Sequence, residues 1–202
     1  MTHIRHSVKV LVMRVFIAVL VLIFSIQSWT KADDIDDFEI EEISIGDSAL
    51  DYYSEDYLDS FTKNYYPKNK KFYYISGIED DLENYEYLQF HLKNNDKKYI
   101  IYAVEGMISY EENIKDCYNL KNTLITQIKS LFPNSEVLKY KKEHEADKSG
   151  KSFVDVHNFI LDSGAKSFVK CSDWSDTMPY VDKLTVGITS KELRYFINNE
   201  AY

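Results

Sequence analysis

Apolar residues follow three patterns along this 202-residue chain, and each pattern predicts a different kind of element. The first is an unbroken run from Val15 to Phe24 that extends at most to Ile26. It is shorter than the roughly 20 residues a membrane-spanning helix needs. The second has helical spacing. Leu50, Tyr53, Tyr57, Leu58 and Phe61 share one face behind Ile45-Gly46-Asp47-Ser48, where glycine makes the turn and Asp47 or Ser48 is the N-cap. Ser54-Glu55-Asp56 offers a second cap that would split this segment into two short helices. The strongest helix is predicted from Glu111 to Phe132, opened by a Ser109-x-x-Glu112 capping box and stopped by Pro133. Its stripe of Ile114, Cys117, Tyr118, Leu124, Ile125, Ile128 and Leu131 is interrupted by Lys121. A last helix is expected at Ser190 to Asn199.

The third pattern has period two. Phe72 to Ile75 is aromatic and β-branched, and Tyr87 to Lys93 alternates Leu88, Phe90 and Leu92 inward with Gln89, His91 and Lys93 outward. Asn94-Asn95-Asp96 supplies turn residues before Tyr99 to Val104, so residues 86–105 read as a β-hairpin. Alternation returns in Glu136 to Lys142, Ser152 to Leu161, Lys166 to Trp174 and Lys183 to Ile188, with Asp162-Ser163-Gly164 as a tight turn. Helix-then-strands occurs twice, which predicts an α+β fold with an antiparallel sheet and helices packed on one face. The same order outlines a duplicated unit, roughly residues 45–110 and 111–188. The expected organisation is a signal peptide at 1–32, an acidic, solvated tail at 33–44 and one α+β domain at 45–202.

Charge gives the apolar N-terminal run its meaning. Arg5, Lys9 and Arg14 surround its start, and no acid precedes Asp33, which is the layout of a secretory signal peptide. Cleavage is expected after Ala32, with Ser28 as the alternative site and Met13 as an alternative start. An uncleaved segment would instead tether a structural subunit to the membrane. Losing residues 1–32 removes Arg5, Lys9, Arg14 and Lys31 and no acid, taking the formal charge from −9 to −13. Such a surface repels phosphates and anionic lipid, so no nucleic-acid partner is expected, and a membrane only if the N-terminal segment stays. Cys117 and Cys171 are the two cysteines of a chain expected in an oxidising, periplasmic or secreted setting, where one disulfide between them is predicted.

Candidate chemistry is sparse. Glu143, His144 and Asp147 place an imidazole among carboxylates, the residue types of a metal site or an acid/base pair. The i+4 position of an H-E-x-x-H motif holds Lys148, however, and the stretch reads as a solvated turn. Lys148-Ser149-Gly150-Lys151-Ser152 lacks the first glycine of a phosphate loop, since Glu145 stands there, and reads as a hairpin connection. A thiol nucleophile built from Cys117 with His91, His144 or His157 conflicts with the apolar setting of Cys117, and His91 and His157 read as outward-facing strand residues. The 17 tyrosines, with Tyr52, Tyr53, Tyr65, Tyr66, Tyr73 and Tyr74 concentrated in the first half, offer stacking surface for a ligand or simply suit strands. No catalytic residue, metal ligand or cofactor is assigned.

Ile43-Ser44-Ile45-Gly46-Asp47-Ser48, Ala146-Asp147-Lys148-Ser149-Gly150-Lys151-Ser152 and Cys171-Ser172-Asp173-Trp174-Ser175 resemble stretches of a group of small exported bacterial proteins without assigned function. The helix opening at Ile45 to Ser48 is also similar to that of periplasmic modules of the β-lactamase-inhibitor-like type. The first resemblance implies a coherent family fold and no activity; the second implies a binding or assembly role in the cell envelope, toward a protein or small-molecule ligand. The competing expectation is a hydrolase or metal-dependent enzyme using Glu143, His144 and Asp147.

Overall fold

The computed structural model describes residues 38–111 and 113–202. The chain divides between Lys31 and Ala32, and every described residue belongs to the second unit. The expected signal peptide and its cleavage sites lie outside the described residues. Among those residues no helix is long and apolar enough to cross a membrane.

Helical pattern and capping chemistry coincide three times. Ser48 caps a single 3-10 turn, Ala49–Asp51, and Ser54 caps helix α1, Glu55–Asp59, so the 45–61 segment is split as its second cap predicts. Helix α2 spans Ile114–Leu131 and helix α3 spans Lys191–Asn199 behind the Ser190 cap. The capping box expected at Ser109 does not open α2. Asn113 does, its side chain accepting from the Lys115 N–H, because Ser109 is still paired in a strand with Lys183.

The strands are β1 (Asn64–Tyr65), β2 (Phe72–Ile78), β3 (Tyr87–Lys93), β4 (Ile101–Ser109), β5 (Glu136–Glu143), β6 (Phe153–Ile160), β7 (Lys166–Asp173) and β8 (Lys183–Thr189). They form one eight-stranded antiparallel sheet in the order β1-β2-β3-β4-β8-β7-β6-β5, so the fold is α+β as expected. Two four-stranded meanders thus meet through their last strands, β4 and β8. Gly77, with φ +90°, sits where the register of β2 against β3 shifts between Ser76 and Ile78, a bulge that favours glycine.

Side chains alternate across the sheet, which separates two faces. On the first face Cys171 of β7 is bonded to Cys117 of α2, and Tyr53, just before α1, packs on Phe90 of β3. On the second face Leu193 and Ile197 of α3 share a cleft with Lys166, Phe168 and Lys170 of β7. Helix α2 therefore lies on the first face and α3 on the second, so the helices do not all share one face. The chain leaves β8 at Thr189 and turns immediately, Ser190 N–H donating to the Tyr102 carbonyl, and this lays α3 over the nearer end of the opposite face. There Leu193 and Phe196 pack with Tyr66, Phe72 and Ala103.

The expected solvated tail is also corrected where it is described. Phe38, Ile40 and Ile43 are buried, with the Phe38 ring 6.1 Å from that of Phe132. Their apolar area outweighs the acids between them, of which Glu39 and Glu42 are exposed. The Glu41 carboxylate accepts from the N–H groups of Glu83, Asn84 and Tyr85.

Lys121, the interruption in the apolar stripe of α2, is only 2% exposed and ion-paired with Asp155 of β6. Cys117 and Lys121 lie one helical turn apart, and their partners Cys171 and Asp155 are cross-strand neighbours. Closing a loop with a sequence separation of 54 removes chain entropy worth about 4 kcal/mol. The double variant Cys117→Ser, Cys171→Ser is expected to lose about 3 kcal/mol in urea denaturation, and peptide mapping without reductant should find the two cysteines joined. An unchanged urea midpoint, or alkylatable thiols at both positions, would contradict the bridge.

Candidate functional site

The second face carries the site, and strand register builds it. Lys170 stands opposite Val156 of β6 and Thr185 of β8, and Val156 stands opposite Tyr140 of β5. Glu105 of β4 and Phe168 of β7 flank Gly187 of β8, their common partner. A Cβ at Gly187 would fall 2.7 Å from the Phe168 ring and 3.1 Å from the Glu105 stem, so the missing side chain lets those two residues meet over β8. The result is a cleft of about 230 Å³, walled by Phe168, Val154, Val156 and Tyr140 and closed at one end by Leu193 and Ile197 of α3.

Its polar floor is a network centred on one acid. Glu105 Oε1 lies 3.4 Å from His91 Nε2, and Oε2 lies 3.9 Å from Lys170 Nζ. His91 is 6% exposed; its Nδ1 is hydrogen-bonded to the Tyr66 hydroxyl at 2.8 Å, and its Nε2 lies 2.9 Å from the Gln89 amide nitrogen. Burial pushes the Glu105 carboxyl up, but the Lys170 charge and the His91 contact outweigh it and hold the group at about 2. Burial pulls the Lys166 ammonium down. Glu105 opposes that shift, while Lys170 and Arg194 reinforce it. Lys183, on the same face of β8, is likewise lowered by burial and by Lys170. Lysines thus gather around a single carboxylate, in a chain whose formal charge is −9.

Compared with known proteins, the chain matches no family profile, no curated protein and no solved structure.

The residues singled out in the sequence are placed elsewhere. Asp147 is buried in a loop staple: Oδ2 accepts from the Ser152 N–H and from the hydroxyls of Ser152 and Ser175, and Oδ1 accepts from the Ser149 N–H. The Ser152 and Ser149 hydrogen bonds hold its carboxyl well below the ordinary range. His144 stacks on Trp174 with ring centroids 4.0 Å apart, and its Nδ1 accepts from the Ala146 N–H. Glu143 ends the exposed edge strand β5. Glu143, His144 and Asp147 thus shape one connection, and among the described residues no group of three His, Cys, Asp or Glu side chains is placed to hold a metal. Gly150, with φ +72°, makes the turn expected of Lys148 to Ser152.

Cys117 is in the disulfide, so it has no thiol to act as a nucleophile. His91 is buried rather than outward-facing, because α3 and the loop bearing Tyr66 cover the side of β3 that alternation assigned to solvent. His157 lies half-buried on the α2 side of β6. The tyrosines do not form one surface: Tyr66 and Tyr74 pack around His91, whereas Tyr53 packs on Phe90 and Tyr52 donates to Asp47. Glu105, Lys166 and Lys170 carried no motif. The usable signal was Lys166-x-Phe168-x-Lys170 itself, whose period of two places an aromatic ring between two ammoniums on one face.

Replacing Glu105 by Gln leaves the lysines and His91 without their carboxylate and is expected to cost about 3 kcal/mol at neutral pH. The folded value of the Glu105 carboxyl lies below its ordinary 4.5, so its contribution is complete above that pH and is lost as pH falls toward about 2. Urea denaturation at neutral pH and at about pH 3 should show a smaller gap between wild type and Glu105→Gln in acid. An equal gap at both would contradict the network.

Proposed function

We propose that this protein is an exported binding module of the cell envelope, periplasmic or secreted once residues 1–32 are removed. It is not an enzyme, and it takes an anionic partner on the second face of its sheet. The observation that carries this reading is the cleft on that face, in which Lys166 and Lys170 flank Phe168 above Glu105. The first face carries α2, while on the second Leu138 and Tyr140 at the β5 margin beyond α3 are exposed. Positive groups here contrast with the acidic remainder of the chain, which favours an anion at this face and disfavours one elsewhere.

Export is supported by the basic residues and apolar run ahead of Ala32 and by the Cys117–Cys171 bridge, a bond suited to oxidising compartments. The two helix-then-meander halves support a duplicated unit, and an open sheet face is compatible with the binding role implied by the likeness to β-lactamase-inhibitor-like modules.

A photo-crosslinking residue placed at Tyr140 should give an adduct of defined mass in the producing cell, and the same residue at Thr123 on the outer side of α2 should give none. Mass spectrometry of that adduct should also find Asp33 at the N-terminus. Equal adducts from both positions, or none, would overturn the open-face reading, and an intact Met1 or Met13 would overturn export by cleavage.

A further inference from the structure

Resting on the open-face reading above, we infer that the cleft between β7, β6 and α3 binds a small organic carboxylate with a compact apolar body. Three independent features of the cleft define that class.

Charge selects the anion. The ammoniums of Lys166 and Lys170 lie 5.0 and 5.4 Å from the centre of the Phe168 ring. Lys183 and Arg194 add positive potential from β8 and α3. Among the described residues the one carboxylate lining the cleft is Glu105, which is already engaged by His91 and Lys170. Among the described residues no carboxylate stands within ion-pair distance of Lys166 or Lys183, and the Arg194 guanidinium donates to the Gly164 carbonyl. The partly buried Lys166 ammonium, with no carboxylate at ion-pair distance among the described residues, carries a desolvation penalty that an entering anion relieves.

Backbone pairing selects the kind of anion. β7 is hydrogen-bonded to β6 on one side and β8 on the other along its whole length, so its N–H groups are spent in the ladders. The paired β7 backbone therefore offers no nest of the sort that holds a phosphate, and the charged donors of the cleft are the lysine ammoniums. A carboxylate, needing one or two point charges, fits this donor set better than a phosphate does.

Size and lining select the body. Val154, Val156, Leu193 and Ile197 surround Phe168 with apolar surface. The volume of about 230 Å³ is below the roughly 300–1,000 Å³ usual for drug-sized ligands. One ring or a short acyl chain fits, with its carboxylate between Lys166 and Lys170 and its body on Phe168 and Val156.

The test is a titration of the isotope-labelled, disulfide-bonded protein with benzoate and with hexanoate, followed by NMR at Phe168, Val154, Val156 and Leu193. Benzamide and hexanamide keep the body without the charge, and inorganic phosphate keeps charge without the body. Saturable shifts in the cleft are expected for the acids, with affinity about tenfold above the amides and above phosphate. Lys166→Met should weaken binding about tenfold, and Lys166→Arg, which keeps the charge and guards against a folding defect, should stay within about threefold of wild type. Acids and amides binding alike, or shifts confined to the surface lysines of β5, would overturn the inference. If the acids fail while Tyr140 still crosslinks specifically, the ligand class falls and the open-face reading stands; if both fail, both fall.

Discussion

Helix α2 is fastened to the sheet by a covalent bond and a buried ion pair one helical turn apart, and the use of the rest of the molecule depends on that attachment. Side chains four residues apart on a helix lie about 5–6 Å from each other, and cross-strand partners have Cα atoms about 4.5–5.5 Å apart. The two spacings match, so Cys117 and Lys121 can reach Cys171 and Asp155 together. Tyr118 adds a third tie, its hydroxyl donating to Asp173 on β7. One face of the second meander is thereby committed to packing. The proposed cleft lies on the other side.

That other side has the opposite electrostatic character to the chain as a whole. An acidic protein that concentrates Lys166, Lys170 and Lys183 around one buried carboxylate pays for their desolvation in stability, and Glu105 offsets part of that cost through Lys170 and His91. The arrangement is stable without being neutral. Glu105 keeps the lysines in place and leaves positive charge over, while Gly187 provides the space in which Phe168 lies between the two ammoniums. An apolar ring between cations is a surface suited to amphipathic anions and poorly suited to cations or neutral polar groups.

Much of the fold was legible because it is written in local patterns. The alternation in residues 87–93 and 153–160 and the stripe on α2 became β3, β6 and a packed helix, and two cysteines in an export-type chain became one bridge. The misreadings share a cause. Periodicity places His91 outward and makes residues 38–44 look like part of a solvated tail, because it cannot show what covers a face from a distant part of the chain. α3 and Tyr66 cover the first, and the core takes Phe38, Ile40 and Ile43 of the second. The site was least legible for the same reason. Glu105 and Lys170 are brought together by β4 pairing with β8 and β8 with β7, a topology that no local motif encodes. Conversely, Glu143, His144 and Asp147 look chemical in a line of letters, but serine hydroxyls and backbone N–H groups take up Asp147 and an indole takes up His144.

Lysine footprinting tests directly whether the face away from α2 is the working face. Reaction with an amine-directed acylating reagent would be compared between the protein in its native cellular fraction and the purified protein. Lys166 and Lys170 should be protected in the native fraction, with Lys139 and Lys141 on the opposite side of β5 equally reactive in both. Protection of Lys139 and Lys141 with Lys166 and Lys170 unchanged would contradict the account.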